Sequence, residues 1–209
     1  MMPGVTPGGG ATRAKGYADR LVRLQTAGWK QRLDVQAPFR WNLRRLDPGF
    51  TLDVGCGVGR NLAHLPGQIV GVDANEHCVR AAKARGFVAF TPDEFLSSEH
   101  HRPGRFDSIL LAHVAEHMRE DQVVALLDEY EAMLRPGGQL IMMTPQEAGF
   151  RSDSTHVELM DFARLTRISD RLGFAVERRF SFPFPRWAGR VFTYNEFVVV
   201  SRKPARRAA

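Results

Sequence analysis

The chain has 209 residues, 44% of them hydrophobic, and a formal net charge of +6, which suits one domain with a packed core and leaves no need for a second. Its two cysteines, Cys56 and Cys78, are too few for a disulfide framework and fit no zinc-finger spacing, so a reducing, cytoplasmic setting is expected. No apolar run approaches the ~20 residues of a membrane span, and no segment is expected to cross a bilayer.

The charge is uneven along the chain. Arg13 to Arg45 holds nine Lys and Arg against Asp19 and Asp34, a balance of +7, and Arg202, Lys203, Arg206 and Arg207 add +4, leaving −5 for residues 46–201. Positive ends on an acidic middle suit either a solvated cap and tail or a basic lid over an anionic substrate.

In chain order, residues 1–46 are expected to form a flexible start and a helical cap. Tyr17, Leu21, Leu24, Trp29 and Leu33 recur roughly at helical spacing, and Pro38 breaks the run before Phe39 to Leu43 begins a second piece. Asp47-Pro-Gly49 is a turn signal. Residues 47–201 then alternate strand and helix, the pattern of a parallel sheet covered on both faces. Strands are predicted at 50–54, 68–72, 87–90, 106–111 and 138–143, with helices at 60–65, at 76–85 closed by Gly86, and at 120–134 closed by Pro136-Gly-Gly138.

After Pro145 an irregular stretch runs to about Val157, followed by a helix to Leu172 that Gly173 stops. The last strands, 174–181 and 191–201, are joined by Phe182-Pro-Phe-Pro-Arg-Trp187, a connection too short for a crossover helix, so the final strand should pair antiparallel. The expected fold is α/β, a Rossmann-like, mostly parallel seven-stranded sheet with an antiparallel last strand, helices on both faces, an N-terminal helical cap and a basic tail at 202–209.

Leu52-Asp-Val-Gly-Cys-Gly-Val-Gly-Arg60 runs from a buried strand into a glycine turn. Glycine permits the tight turn and the close approach of a ligand to the main chain, which points to a nucleotide-like ligand. The spacing is G-x-G-x-G, with Arg60 where a dinucleotide fingerprint has its third small residue, which demotes NAD and FAD. Gly71-Val-Asp73 closes the second strand eighteen residues beyond Gly55, where a carboxylate can accept both hydroxyls of a ribose.

With Phe106-Asp-Ser-Ile-Leu-Leu and Leu134-Arg-Pro-Gly-Gly138, these motifs resemble a class I S-adenosylmethionine-dependent methyltransferase of the type 11 and ubiquinone-pathway kind, over about residues 40–201. The resemblance implies S-adenosylmethionine as cofactor, with Gly55, Gly57 and Gly59 against its methionine and ribose portions and Asp53 engaging its ammonium. It further implies that Asp73 bridges the ribose hydroxyls, that Ala74 and Asn75 flank the adenine, and that Asp93, Glu94 and Phe95 meet the adenine amino group and ring. Asp93 and Glu94 read equally as first-turn acids of a helix after Pro92. Ala112 and His113 would border the reactive methyl.

Methyl transfer from a sulfonium is an in-line displacement from an activated donor, so positioning supplies much of the catalysis. His113 is the first candidate base, because imidazole titrates near neutral pH; His117 and His156 are the others. His113, Glu116 and His117 stand at i, i+3 and i+4, which places them on one face if the turn is helical, and His156 lies in a loop able to fold back. This set is similar to the Glu-x-x-Glu-His plus downstream His that holds a divalent metal in small-RNA 2′-O-methyltransferases, with His113 replacing a Glu. The replacement tilts a site of His113, Glu116, His117 and His156 away from Mg²⁺ toward a softer ion.

The acceptor pocket is expected from the front helices, the 145–160 loop and the 182–187 loop, with Trp29, Phe39, Trp41, Phe150, Phe182, Phe184 and Trp187 offering rings and Arg40, Arg151 and Arg186 charge. Methylation of an oxygen on an aromatic, sugar or lipid-linked small molecule is the leading expectation. An RNA 2′-O-methyltransferase with a divalent metal is the alternative; nucleic acid is less favoured because the basic charge is not interleaved with a stacking platform. A non-catalytic S-adenosylmethionine-binding regulator is the third reading and an NAD-dependent oxidoreductase the fourth.

Overall fold

The computed structural model describes residue 34 and residues 36–205; the expected helical stretch from Ala11 to Leu33, with Trp29, lies outside them, as do residues 206–209. The first described helix, α1, is Ala37–Arg44, with Pro38 at its start. A sheet follows, built of β1 (Thr51–Val54), β2 (Ile69–Val72), β3 (Ala89–Phe90), β4 (Phe106–Ala112), β5 (Leu134–Pro145), β6 (Ala175–Phe182) and β7 (Glu196–Arg202). Between strands run α2 (Glu76–Ala84), α3 (Pro92–Leu96), α4 (Glu120–Glu131), α5 (Glu147–Arg151) and α6 (Phe162–Arg171).

The seven strands lie in the order β3-β2-β1-β4-β5-β7-β6. β1, β2, β3, β4 and β5 pair parallel, and β7 runs antiparallel between β5 and β6, as the short 182–195 connection requires. Alternate residues of each strand feed two cores. Ile109, Leu111, Leu140, Met142 and Val199 join Val123, Leu127, Leu165 and Ile168 of α4 and α6 on one face. Leu110, Ala112, Ile141, Met143, Val198 and Val200 join Leu43, Leu65 and Val79 on the other. Burial on both faces is why these strands read as continuous apolar runs.

The third strand is shorter than expected, Ala89–Phe90, the helix from Glu120 ends at Glu131, and the stretch after Pro145 holds the helix Glu147–Arg151; three further differences have clear causes. Residues 60–65 form turns rather than a helix: Ala63 N–H reaches Gly59 at 3.2 Å while His64 N–H reaches Asn61 at 2.9 Å, a mixture of bonding patterns. Six residues ahead of Pro66-Gly67 are too few to nucleate a regular helix, and Leu62 and Leu65 are buried in the core regardless. β5 starts four residues early because Leu134 already pairs with Phe106 before a bulge over residues 135–138 resets the register to Ser108 and Gln139. The final strand begins at Glu196, since residues 186–190 coil into a short 3₁₀ turn.

Candidate functional site

At the carboxyl end of β1, Gly55, Gly57 and Gly59 all have positive φ, +81°, +54° and +87°, where any other residue is strained. A Cβ on Gly55 would collide with the Val114 side chain, so the loop is packed closely against the segment leaving β4. The amides of Gly55 and Cys56 donate to the Val72 carbonyl at 2.7 and 3.1 Å. Gly57 N–H donates to one Asp73 carboxylate oxygen and Asn75 N–H to the other, both at 2.8 Å, which ties the β2 tip to the glycine loop. Asn75 also caps α2, its Oδ1 accepting from His77 and Cys78 amides at 3.0 and 3.4 Å.

Beneath this loop lies Asp53, fully buried. Its Oδ1 accepts from Asn61 at 3.4 Å, while Oδ2 has no partner. Burial pushes its pKa up to about 7 despite the Asn61 hydrogen bond and the Arg60 charge. A buried carboxylate oxygen without a donor is unfavourable alone and fits a cationic, hydrogen-bonding ligand. The methionine ammonium of the expected cofactor meets that requirement, and the positive-φ glycines leave room for its backbone-hugging portion.

At the tip of β3, Thr91 and Glu94 form a capping box, Glu94 N–H donating to Thr91 Oγ1 at 3.2 Å and Thr91 N–H to the Glu94 carboxylate at 2.9 Å. Glu94 also holds Lys83 at 2.9 Å. Phe95 is buried against Phe90, Phe106 and Tyr130. Both side chains therefore have structural partners, and Asp93 is the acid of the first turn outside the box.

The acceptor side is organised differently from the sequence expectation. His113 has φ +59°, and the following turn is a 3₁₀ segment of only three residues, Ala115–His117. The i, i+4 relation on a helical face is thus lost, and the His113 ring turns away to β7. Its Nε2 lies 2.7 Å from Glu196 Oε1 and its Nδ1 3.4 Å from Glu116 Oε1. Burial and Arg60 work to lower the His113 pKa, but the bonds to Glu116 and Glu196 outweigh them and lift it to about 9. With both nitrogens engaged by carboxylates, His113 lies outside the group that Glu116, His117 and His156 form.

Glu116 is 1% exposed, with Oε2 unpartnered. Despite burial, His113 and His117 hold its pKa below the usual range, so it is a carboxylate. The Val157 and Glu158 amides donate to its carbonyl at 2.7 and 3.2 Å, hanging the downstream loop on this turn. That brings His156 to His117, with ring centroids 4.9 Å apart. His117 Nδ1 lies 3.1 Å from the Thr155 carbonyl and His156 Nδ1 2.7 Å from the Phe150 carbonyl, so each Nδ1–H donates, the arrangement that in a neutral ring puts the lone pair on Nε2. Glu116, His117 and His156 each offer a ligand atom within 4.8 Å of the others. Three of the four expected metal ligands thus converge.

Phe150 stacks on His156 at 5.4 Å, while Phe39 and Trp41 pack separately on Phe182 at 5.7 and 6.3 Å. The expected arginines are engaged: Arg40 with Asp34 at 2.6 Å, Arg151 with the Arg190 carbonyl at 3.1 Å, and Arg186 with Glu147. The sequence reading missed Glu196, and with it Gln146 and Asn195, both fully buried. Asn195 Nδ2 donates to Gln146 Oε1 at 3.0 Å, and its Oδ1 accepts from Phe184 N–H at 2.9 Å, fastening the 182–195 loop to the end of β5. A signal was present: Asn195-Glu196 is a polar pair opening the otherwise apolar strand Phe197–Val200.

Residues 52–142 match the family described as a methyltransferase domain. A "SAM dependent methyltransferase" from Archaeoglobus fulgidus superposes with a TM-score of 0.65 at 19% identity, over 88% of this chain and 99% of that one. Magnesium protoporphyrin IX methyltransferase from Synechocystis PCC 6803, with bound S-adenosylhomocysteine, superposes with a TM-score of 0.61 at 16% identity, over 92% of this chain and 96% of that one. A tRNA U34 carboxymethyltransferase from Hahella chejuensis is 33% identical over 131 residues, 54% of this chain. This chain spans 39% of that relative's length.

The fold and the matched segment define a class I S-adenosylmethionine-dependent methyltransferase. Within the chain, residues 52–142, less than half of its length, are similar to the methyltransferase-domain family, and all four sequence motifs fall inside them.

Proposed function

We propose that this enzyme transfers a methyl group from S-adenosylmethionine to an oxygen of a small, aromatic, sugar or lipid-linked molecule. The observation that carries the reading is the unpartnered, buried Oε2 of Glu116 beyond the end of β4. The cofactor supplies a methyl already activated on a sulfonium. Asp53 Oδ2 takes its ammonium, the free lone pairs of Asp73 take the ribose hydroxyls, and Ala74, Asn75 and Asp93 border the adenine. Ala112 and His113 flank the methyl. Glu116 would accept a hydrogen bond from the acceptor hydroxyl, orienting a lone pair toward the methyl carbon; the methyl C–S bond would break as the O–C bond forms, releasing S-adenosylhomocysteine, and the hydroxyl proton would pass to Glu116 and on to solvent. His113, anchored in turn by Glu196, fixes the Glu116 carboxylate and together with His117 keeps it ionised.

The test is incubation with ¹³C-methyl-labelled S-adenosylmethionine and a small-molecule extract, followed by the carbon shift of the new methyl. A labelled O-methyl product, absent with Glu116→Gln, is expected; an N-, S- or C-methyl product, or label transfer unaffected by that change, overturns the oxygen assignment.

A second reading, an RNA 2′-O-methyltransferase using a divalent metal, draws support from the Glu116, His117 and His156 cluster and from the relative acting on tRNA. Two imidazoles and one carboxylate suit a borderline ion better than Mg²⁺. The division into a cap at 1–46, a methyltransferase domain at 47–201 and a tail at 202–209, and a cytoplasmic location in keeping with the free, buried Cys56 and Cys78, belong to the same proposal. Among the described residues, no helix is long and apolar enough to cross a membrane.

A further inference from the structure

Of the eight large hydrophobic residues that stand exposed among the described residues, four fall within one eleven-residue stretch: Phe184 (49% exposed), Trp187 (69%), Val191 (79%) and Tyr194 (60%). Their exposure is not a sign of a loose loop. Asn195 grips the carbonyls of Phe184 and Pro185 at 3.2 and 3.4 Å as well as Gln146, Arg186 is paired with Glu147, and a Cβ on Gly189 would overlap the Gln146 side chain. Phe184, Phe192 and Tyr194 are joined edge to face, with centroids 5.2 and 5.7 Å apart. The loop is thus a rigid mount that holds apolar side chains in water, where an unbound protein gains nothing from them.

We propose that this loop docks the enzyme shallowly on an anionic lipid surface. Three features on the page select that occupant. The side chains are two amphipathic rings, Trp187 and Tyr194, with Phe184 and Val191, the residue types that settle at the headgroup boundary. Beside them stand Arg151, Arg186 and Arg190, with Arg186 paired to Glu147, a predominantly basic set that complements a bilayer's negative potential. Four side chains are also far short of the roughly 20–30 residues a side that a stable protein interface uses, whereas they suffice for reversible interfacial binding.

The loop ends at Asn195, and the next residue, Glu196, is bonded to His113. Docking therefore sets the acceptor end of the crevice at the interface. The substrate consequence, a lipid-borne acceptor hydroxyl, rests on the proposed function; the docking itself does not.

The test is co-sedimentation of the full chain with phosphatidylglycerol–phosphatidylcholine vesicles and with pure phosphatidylcholine vesicles, at low and high salt. Binding is expected to the first, weakened by salt, and to fall about ten-fold or more in a Trp187→Ser, Val191→Ser variant that still binds S-adenosylhomocysteine. Should that variant misfold, wild-type fluorescence decides: brominated lipid is expected to quench an emission component that Trp187→Phe removes. Absence of vesicle binding by the wild type, binding undiminished in the variants, or a concentration-dependent dimer that the loop changes dissolve overturns the proposal. Vesicle binding without transfer to any lipid-borne acceptor would leave docking intact and remove only the substrate consequence.

Discussion

Glu196, the first residue of β7, sets its Oε1 2.7 Å from Nε2 of His113, a residue 83 positions earlier at the end of β4. Because His113 reaches Glu116 with its other nitrogen, one imidazolium joins two buried carboxylates across two strands. Removing Glu196 leaves the His113–Glu116 pair and strands the part-buried Nε2–H without its acceptor. Glu196→Ala should cost roughly 1–3 kcal/mol in urea unfolding at pH 7, and Glu196→Gln should recover part of that, since the amide oxygen still accepts from Nε2–H. A loss below about 1 kcal/mol for Glu196→Ala would show that the link contributes little.

Asp53 should make cofactor binding depend on pH. With its pKa raised to about 7 by burial, the free protein holds this carboxyl about half protonated at neutrality, while an ammonium ligand requires the ionised form. Binding then releases a proton, and affinity for S-adenosylhomocysteine should rise from pH 6 to pH 8. Calorimetry in buffers of different ionisation enthalpy measures both. Asp53→Asn should flatten the dependence and weaken binding by about ten-fold, or ~1.4 kcal/mol; an unchanged slope places the linkage elsewhere.

Glu116, His117 and His156 provide the prediction for a metal. Zn²⁺ or Mn²⁺ added alone should titrate as one site per chain in the wild type, and Glu116→Gln or His156→Ala should abolish it, whereas a His113 variant with the fold intact should retain it, because His113 braces Glu116 and is not one of the three converging ligands. No heat and no metal by elemental analysis would remove the metal-dependent reading and leave Glu116 to the acceptor hydroxyl.

His64 should contribute to acid sensitivity. It is buried, and desolvation, aided by Arg60, Arg40 and Arg44, lowers its pKa to about 4. The folded state therefore favours the neutral ring. Stability from this group is full above about pH 6.5, falls as pH drops toward 4, and reaches a loss of roughly 3 kcal/mol below that. His64→Gln should flatten the urea-unfolding profile between pH 6.5 and 4; an equal slope in the variant would exclude His64 as its source.

Much of the donor side was legible because its parts are local. Gly55, Gly57 and Gly59 are visible since only glycine takes those positive φ values without strain. Asp73 is visible since a strand tip and a glycine turn lie next to each other in any sheet of this winding. Glu94 and Phe95 were less legible: a capping box and an aromatic core contact use the same residue types that a binding role would.

The sequence by itself determined the glycine turn, the acid at the β2 tip, the alternation of strand and helix and the antiparallel last strand, all of which follow from neighbours in the chain and from the period of apolar residues. Tertiary structure decided which way His113 faces. A left-handed φ and a turn of three residues broke the helical spacing on which four ligands would have converged, and β7 supplied Glu196 from far along the chain. Hydrogen bonds between buried charges are short-ranged and indifferent to sequence separation, so the acceptor side, built from three distant segments, takes shape only when the sheet closes.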